Sequence, residues 1–556
     1  MFNQDSDDIV PLNDITDSDS RPSRRRRRLD LTLPLTSPEP FYGTTMYHRS
    51  RSASRSSYGS NLSMNAPTYT VDEAINAIGV GWTQVYILIT VFISWVFLSA
   101  ETLLSTTIST QFQCDLLLSG DQVALLTTSL FIGELVGTWP NGKFVDTYGR
   151  KAGMVFITAW TLYYGIIFSF TPTFIWAIAI RFLTGLGLIG VLSVYILYLG
   201  EMVPSNIRVW FVLAQVLSYG TGSLYVATIG MFAVPTQGWR YQSFYAALPG
   251  VISIILTFFL PESPRYLAFV GRMETSCEVL TKLADSNKVE LPPGDLLQTH
   301  EIADPEKSTS FQLLRNGYLR QTTILYMAWF ACYFAYYGMA LTTTPLLSGI
   351  YIQEGNASSS VVTIANTSVY SVQSSSSTGS TFVVPPEPRC DAVAEDIDCN
   401  DYLPSRDEYV ETIVATLGDF IAAPVMVILV LLLGRKRTLT VSLISAASSI
   451  ILIAFLMEDI DLTFFIFAAR AFSLGTYGAL FLYTVEVYPT SLRAQAVVTC
   501  QFWAKVAGAV TPFVAQGLFE KTPFWSMMTY FFVCIFAGIA TIFLEIDPTG
   551  EIREDM

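Results

Sequence analysis

Glu201-Met202-Val203-Pro204-Ser205-Asn206-Ile207-Arg208 lies between two long apolar runs, and Glu486-Val487-Tyr488-Pro489-Thr490-Ser491-Leu492-Arg493 lies between two others. Glu, Pro and Arg hold the same places in both octets, which are offset by 285 residues (201 to 486). The same offset carries Gly149-Arg150-Lys151 onto Gly434-Arg435-Lys436. It also carries Glu134 onto Asp419, each a carboxylate inside an apolar run. An offset kept across this many charged positions predicts a duplicated membrane bundle.

Composition agrees. Of 556 residues, 51% are hydrophobic and 14% charged, with a mean hydropathy of +0.44. Soluble domains carry about 25% charged residues, so most of this chain is expected to face lipid or a membrane-embedded core. Runs near the ~20 residues that span a bilayer as helix recur along the chain. Twelve spans are predicted, near 84–106, 121–143, 152–171, 174–199, 209–232 and 241–260, then 321–346, 409–433, 438–457, 461–484, 496–518 and 524–544. The expected organisation is a disordered cytoplasmic tail over 1–80, a six-helix bundle over 81–261 and a linker over 262–320. A second bundle follows over 321–545, containing a lumenal loop over 348–408, and then a tail over 546–556.

Basic residues set the orientation. Lys143, Arg150, Lys151, Arg208, Arg265, Arg272, Arg435, Lys436, Arg437 and Arg493 all fall on one side of the predicted bundle. The positive-inside rule makes that side, and both termini, cytoplasmic. The loop over 348–408 then faces the lumen, where the sequons at Asn356 and Asn366 are expected to carry glycans. Cys390 and Cys399 are candidates for a disulfide in that oxidising space, while Cys114 is expected to stay single. The net charge of −14 is unevenly spread and argues for no nucleic-acid partner. The two histidines, His48 and His300, lie outside the apolar runs, and no CxxC occurs. Nothing here supplies a metal site or a histidine-based triad, and no cofactor or enzymatic activity is expected.

Asp146, Arg150, Glu201 and Arg208 read as a charge network closing the cytoplasmic side of the first half. Arg435, Glu486 and Arg493 repeat it in the second, where Leu431 replaces the aspartate. Such a network must break when the halves rock; the plainer reading is that the basic residues only fix topology. Ionised groups inside spans cost several kcal/mol, roughly, unless paired or facing a cavity. Glu101, Glu134, Asp419 and Lys505 are therefore candidates for a substrate or proton site. Glu101 and Lys505 have no charged partner at the repeat offset, which favours them as the asymmetric pair that holds a ligand. Arg181 and Arg470 read either as contacts for an anionic substrate or as structural pins. Trp95 and Tyr333, with Trp329, Tyr336, Tyr337 and Trp503, are candidate cavity aromatics that could hold an organic cation on their ring faces.

The segment from Gly142 to Lys151, Arg181-x-x-x-Gly185, the two octets and Pro261-Glu262-Ser263-Pro264-Arg265 resemble the major facilitator superfamily. Asp72-Glu73-Ala74-Ile75-Asn76-Ala77-Ile78-Gly79, Gln122-Val123-Ala124-Leu125-Leu126-Thr127 and Trp160-Thr161-Leu162-Tyr163-Tyr164-Gly165 resemble its synaptic vesicle glycoprotein 2 and synaptic vesicle 2-related group. Thr511-Pro512-Phe513-Val514-Ala515-Gln516 adds to that likeness. The resemblance implies an all-α membrane protein of two six-helix halves related by a parallel repeat, in a vesicle or plasma membrane. It implies a monomer in the bilayer that carries a small organic solute, an organic ion or a sugar-like molecule, with proton coupling as an option. Glu101 matches an acidic position of the family's first span, but the aspartate that precedes it there is Leu98 here. That loss keeps open a second class, a transporter-shaped vesicle protein with a regulatory or scaffold role and no essential flux.

Overall fold

The computed structural model describes residues 68–204, 208–297, 318–348, 350–351, 363–364, 406–456, 462–488 and 490–545. Among the described residues, twelve helices are long and apolar enough to cross a membrane. They are span 1, Trp82–Asp115; span 2, Gly120–Tyr148; span 3, Arg150–Phe168; span 4, Phe174–Met202; span 5, Ala214–Gln237; and span 6, Trp239–Phe258. The second set is span 7, Leu319–Leu347; span 8, Arg406–Leu433; span 9, Arg435–Leu456; span 10, Thr463–Val487; span 11, Gln495–Lys521; and span 12, Pro523–Ile542. The protein is an all-α, multi-pass membrane protein, as the apolar runs required.

Two tight reversals come from the repeat itself. Gly149 alone separates span 2 from span 3, and Gly434 alone separates span 8 from span 9. Their φ angles are +103° and +79°, conformations that side-chain-bearing residues avoid. Both glycines therefore let the chain turn back with no loop between the helices. Span 11 is interrupted after Pro512, which lacks an amide hydrogen; the helix widens to a π-turn over Phe513–Leu518 before resuming.

Packing repeats as well. Span 2 lies along span 4 and span 8 along span 10. The halves meet where span 2 touches span 11 and span 5 touches span 8. Span 7 is the most enclosed, with 83% of its most apolar stretch buried, against 33% for span 8. Span 7 therefore supplies interior wall, whereas span 8 presents most of its apolar surface outward.

The tail expectation needs correcting at its end. Residues 71–78 form an amphipathic helix, with Val71, Ala74, Ile75 and Ile78 buried and a Thr70–Glu73 capping box at its start. Thr68–Tyr69 pairs in parallel with Asp295–Leu296. The linker following span 6 likewise contains two helices, Pro264–Phe269 and Met273–Asn287. An Arg265–Asp72 ion pair and the bond from Asn287 Nδ2 to Ile78 O, 3.2 Å, fasten the early helix to them. The alternation that signals this burial covers only eight residues, too few to stand out beside a polar tail.

Candidate functional site

Glu101, Glu134, Arg181, Asp419, Arg470 and Lys505, all buried inside the spans, form three pairs, and Glu101 with Lys505 is not one of them. Glu101 is fully buried and faces Arg181 of span 4, Oε2 to Nη1 3.4 Å. Arg181 also donates to Glu101 O at 3.2 Å and Ser105 Oγ at 3.3 Å, and lies 4.5 Å from the Phe168 ring centre. The expected Glu101–Lys505 site is thus overturned: Glu101 belongs to a pair closed within the first half, so Arg181 acts as its counter-ion.

Asp419 of span 8 is held by Arg470 of span 10 in the second half. Arg470 Nε donates to Asp419 Oδ1 at 3.1 Å and Nη2 to Oδ2 at 2.5 Å. Ser223 Oγ, from span 5, donates to Oδ2 at 2.6 Å, and Tyr336 of span 7 donates to the same oxygen at 3.1 Å. A carboxylate with this many aligned donors is fixed in place.

Glu134 of span 2 pairs with Lys505 of span 11, Oε2 to Nζ 2.7 Å, across the boundary between the halves. Both side chains are nearly fully buried. The contact is an ion pair that makes no aligned hydrogen bond to Oε2. Lys505 Nζ also lies 5.2 Å from the centre of the Tyr333 ring.

The repeat explains why Glu134 reaches across. Asp419 finds Arg470 51 residues later, whereas the residue 51 after Glu134 is Gly185. A Cβ at Gly185 would come within 2.0 Å of Leu130 O, so spans 2 and 4 are too close for any side chain there. The position that repeats Lys505 is Gly220, where a Cβ would meet Asp419 O at 2.6 Å. At both positions the first half therefore carries a glycine where the second half carries a cation.

A cavity lies at this boundary. Glu134 and Lys505 are the charged side chains among its described lining residues. Trp95, Tyr219, Tyr333, Tyr336, Tyr337 and Tyr477 supply its aromatic walls. Trp95 Nε1 and Ser473 Oγ, also in the lining, are buried and find no hydrogen-bond partner among the described residues. Tyr219 and Tyr337 join their hydroxyls across the halves at 2.8 Å. Trp95 and Tyr333 both line this cavity. Trp329 is instead packed on Tyr477 and bonded to Thr484, and Trp503 is 40% exposed.

The charge networks at the Gly149 and Gly434 turns form as pairs inside each half. Arg150 Nη2 meets Glu201 Oε1 at 3.1 Å, and Arg435 Nε meets Glu486 Oε2 at 2.9 Å. Asp146 adds a contact to Arg150 at 3.4 Å that Leu431, exposed, cannot repeat. Arg493 is close enough to Glu486 to interact electrostatically. The side chain of Arg208 lies outside the described residues. Glu262, quoted above only within the Pro261–Arg265 motif, has a carboxylate that accepts from the backbone of Arg150 at 2.9 Å and of Lys151 at 3.2 Å, capping span 3. At the opposite face, bonds cross between the halves. Glu520 accepts from Gln113 at 2.9 Å and from Gly120 N at 3.0 Å, and Lys521 pairs with Asp121 at 3.1 Å.

Asn356, Asn366, Cys390 and Cys399 lie outside the described residues. Cys114, expected to be single, is disulfide-bonded. It stands near the end of span 1.

The profile of the family described as Sugar (and other) transporter matches residues 103–379. The Synaptic vesicle 2-related protein of Xenopus laevis is 32% identical over 484 residues, 87% of this chain and 82% of the relative. That of Rattus norvegicus is 31% identical over 489 residues, 88% of this chain and 83% of the relative. The chain belongs to the synaptic vesicle 2-related group of the major facilitator superfamily. Its fold is similar to that of the E. coli xylose transporter XylE in a partially occluded inward-open conformation, with a TM-score of 0.60 and 14% identity. That match covers 85% of this chain and 100% of the neighbour. A D-xylose-proton symporter structure matches at a TM-score of 0.59 and 12% identity, over 84% of this chain and 99% of the other. At such identity the likeness speaks for the major facilitator fold alone.

Tyr219, Ser223, Ser473 and Tyr477 are site residues that sequence reasoning missed. In a chain with 28 tyrosines and long apolar helices nothing distinguishes a lining tyrosine from a packed one. The one available signal was the offset itself: comparing Gly185 with Arg470 points to an uncompensated Glu134.

Proposed function

We propose that this protein is a secondary active transporter that carries a small organic solute by alternating access between its two halves. The observation that carries this reading is the cavity at the boundary of the halves, walled by aromatics and crossed by the Glu134–Lys505 pair. An ion pair between two rocking bodies must be remade or broken whenever they move, which couples cavity contents to conformation. The Arg150–Glu201 and Arg435–Glu486 pairs serve as the gate staples of their respective halves. Glu101, sealed beside Arg181, is the candidate for proton exchange. The protein works as a monomer in a vesicle or plasma membrane with both termini cytoplasmic, and the loop sequons Asn356 and Asn366 carry glycans. The names of the vesicle relatives support the vesicle assignment.

The test is uptake by the full chain in liposomes under an imposed pH gradient, with and without Glu101→Gln. Accumulation of one solute class that collapses in the variant is expected. A folded protein that takes up no anion, cation or sugar would instead support the regulatory reading. One feature favours that reading: Leu98, where the family carries an acidic residue, lines the cavity as an apolar wall.

A further inference from the structure

We infer that the cavity takes a small organic anion, and that the anion's carboxylate replaces Glu134 as the partner of Lys505 while Glu134 takes up a proton. This rests on reading the cavity as the transport site, and it names the substrate class.

The carboxylates of the Glu101–Arg181, Asp419–Arg470 and Glu134–Lys505 pairs are not equivalent. Asp419 has Arg470, Ser223 and Tyr336 as donors, and Glu101 is shut away from the cavity beside Arg181. Only the Glu134–Lys505 pair lines the cavity. Its two members are unequally supported. Lys505 has the face of Tyr333 as a second partner, whereas Glu134 Oε2 has no aligned donor. When the pair separates, Lys505 keeps part of its stabilisation, while Glu134 is left as a bare carboxylate in an apolar wall and is neutralised most cheaply by a proton.

The free hydrogen-bonding groups of the lining agree. Trp95 Nε1 can only donate, and Ser473 Oγ can donate or accept; both are buried and unpartnered. A ligand that offers acceptor oxygens satisfies them; an ammonium ligand leaves Trp95 Nε1 unmet. The remaining titratable groups facing Glu134 are Tyr219 of span 5 and Tyr333 and Tyr337 of span 7. The charges on the neighbouring spans are engaged elsewhere: Arg181 with Glu101, Glu201 with Arg150, and Asp121 with Lys521. Charge balances in the exchange. One carboxylate enters and one proton joins Glu134, so the cavity keeps the same net charge.

The experiment uses the purified full chain and Glu134→Gln, titrated by calorimetry with benzoate, lactate and succinate and, in parallel, with benzylamine and 1,4-diaminobutane. In the wild type, binding of a carboxylate should take up about one proton, so affinity falls roughly tenfold per pH unit where Glu134 is ionised before binding. Glu134→Gln frees Lys505 without a proton, so the same carboxylate should bind about tenfold tighter at pH 8 with no pH dependence. The double variant Glu134→Gln/Lys505→Gln, which has no net charge change at the pair, should lose carboxylate binding at every pH. Amines binding the wild type and failing on Glu134→Gln would overturn the inference. So would carboxylates that bind the double variant as well as the wild type, or a native-melting Glu134→Gln that binds none of the carboxylates. Should Glu134→Gln not fold, proton uptake by the wild type decides alone. Carboxylate binding without uptake into vesicles sinks the transport reading and leaves this one standing. Uptake of a sugar or an amine does the reverse.

Discussion

Glu134 and Asp419 occupy the same place in the two halves, 285 residues apart, yet they live differently. Asp419 is bound within its own half by Arg470 and steadied by two hydroxyls. Glu134 has a glycine where that arginine would be, and its sole charged partner among the described contacts belongs to the other half. The difference teaches that a duplicated bundle turns asymmetric by trading a side chain for close helix packing. One half kept the arginine at this position. The other kept the tight crossing of spans 2 and 4 and sent its carboxylate across the boundary.

The largest way to break this comparison is Arg470→Met. It strands Asp419 as an uncompensated buried charge, and a loss of about 3–5 kcal/mol is expected, read as a lower melting temperature in detergent. Gly185→Ala should cost roughly 1–3 kcal/mol by forcing spans 2 and 4 apart, whereas a small residue at its repeat position, 470, faces no such crowding. Lys505→Met should cost less than Arg470→Met in the same melting assay, on the order of 1–3 kcal/mol, because Glu134 opens on a cavity and can neutralise by taking a proton. A cost equal to that of Arg470→Met would show that the two carboxylates are equally trapped, and the contrast would fall.

The smallest effect sharpens the latch. Leu431→Asp restores the carboxylate four residues before Arg435 and should stabilise by about 0.3–0.5 kcal/mol, disappearing in high salt. A larger, salt-independent gain would mean that the second latch is not a mere surface pair.

The spans, the two halves and the turn glycines were legible because they are written in local patterns: apolar runs of bilayer length and a fixed offset between charged motifs. Trp95 and Tyr333 were legible as aromatics among buried charges. The pairing was not. Glu101 and Lys505 look like partners because neither has a charged repeat counterpart, but their true neighbours, Arg181 and Glu134, are 80 and 371 residues away from them. The early helix at 71–78 was lost for the opposite reason, since its partners lie in the linker near 265–295 and supply the burial that its own short pattern barely announces.

By itself, then, the sequence determined the number of crossings, their duplication and the set of residues too polar to face lipid, because each follows from hydrophobic run length and repeat offset. Only the tertiary structure decided which charges meet. An ionised group in a bundle is stabilised by whatever lies within a few ångströms of it, and those neighbours come from helices whose rotation and closeness no single stretch of chain specifies. At Gly185 that closeness removes a counter-ion, and the consequence appears at Lys505, in the other half of the protein.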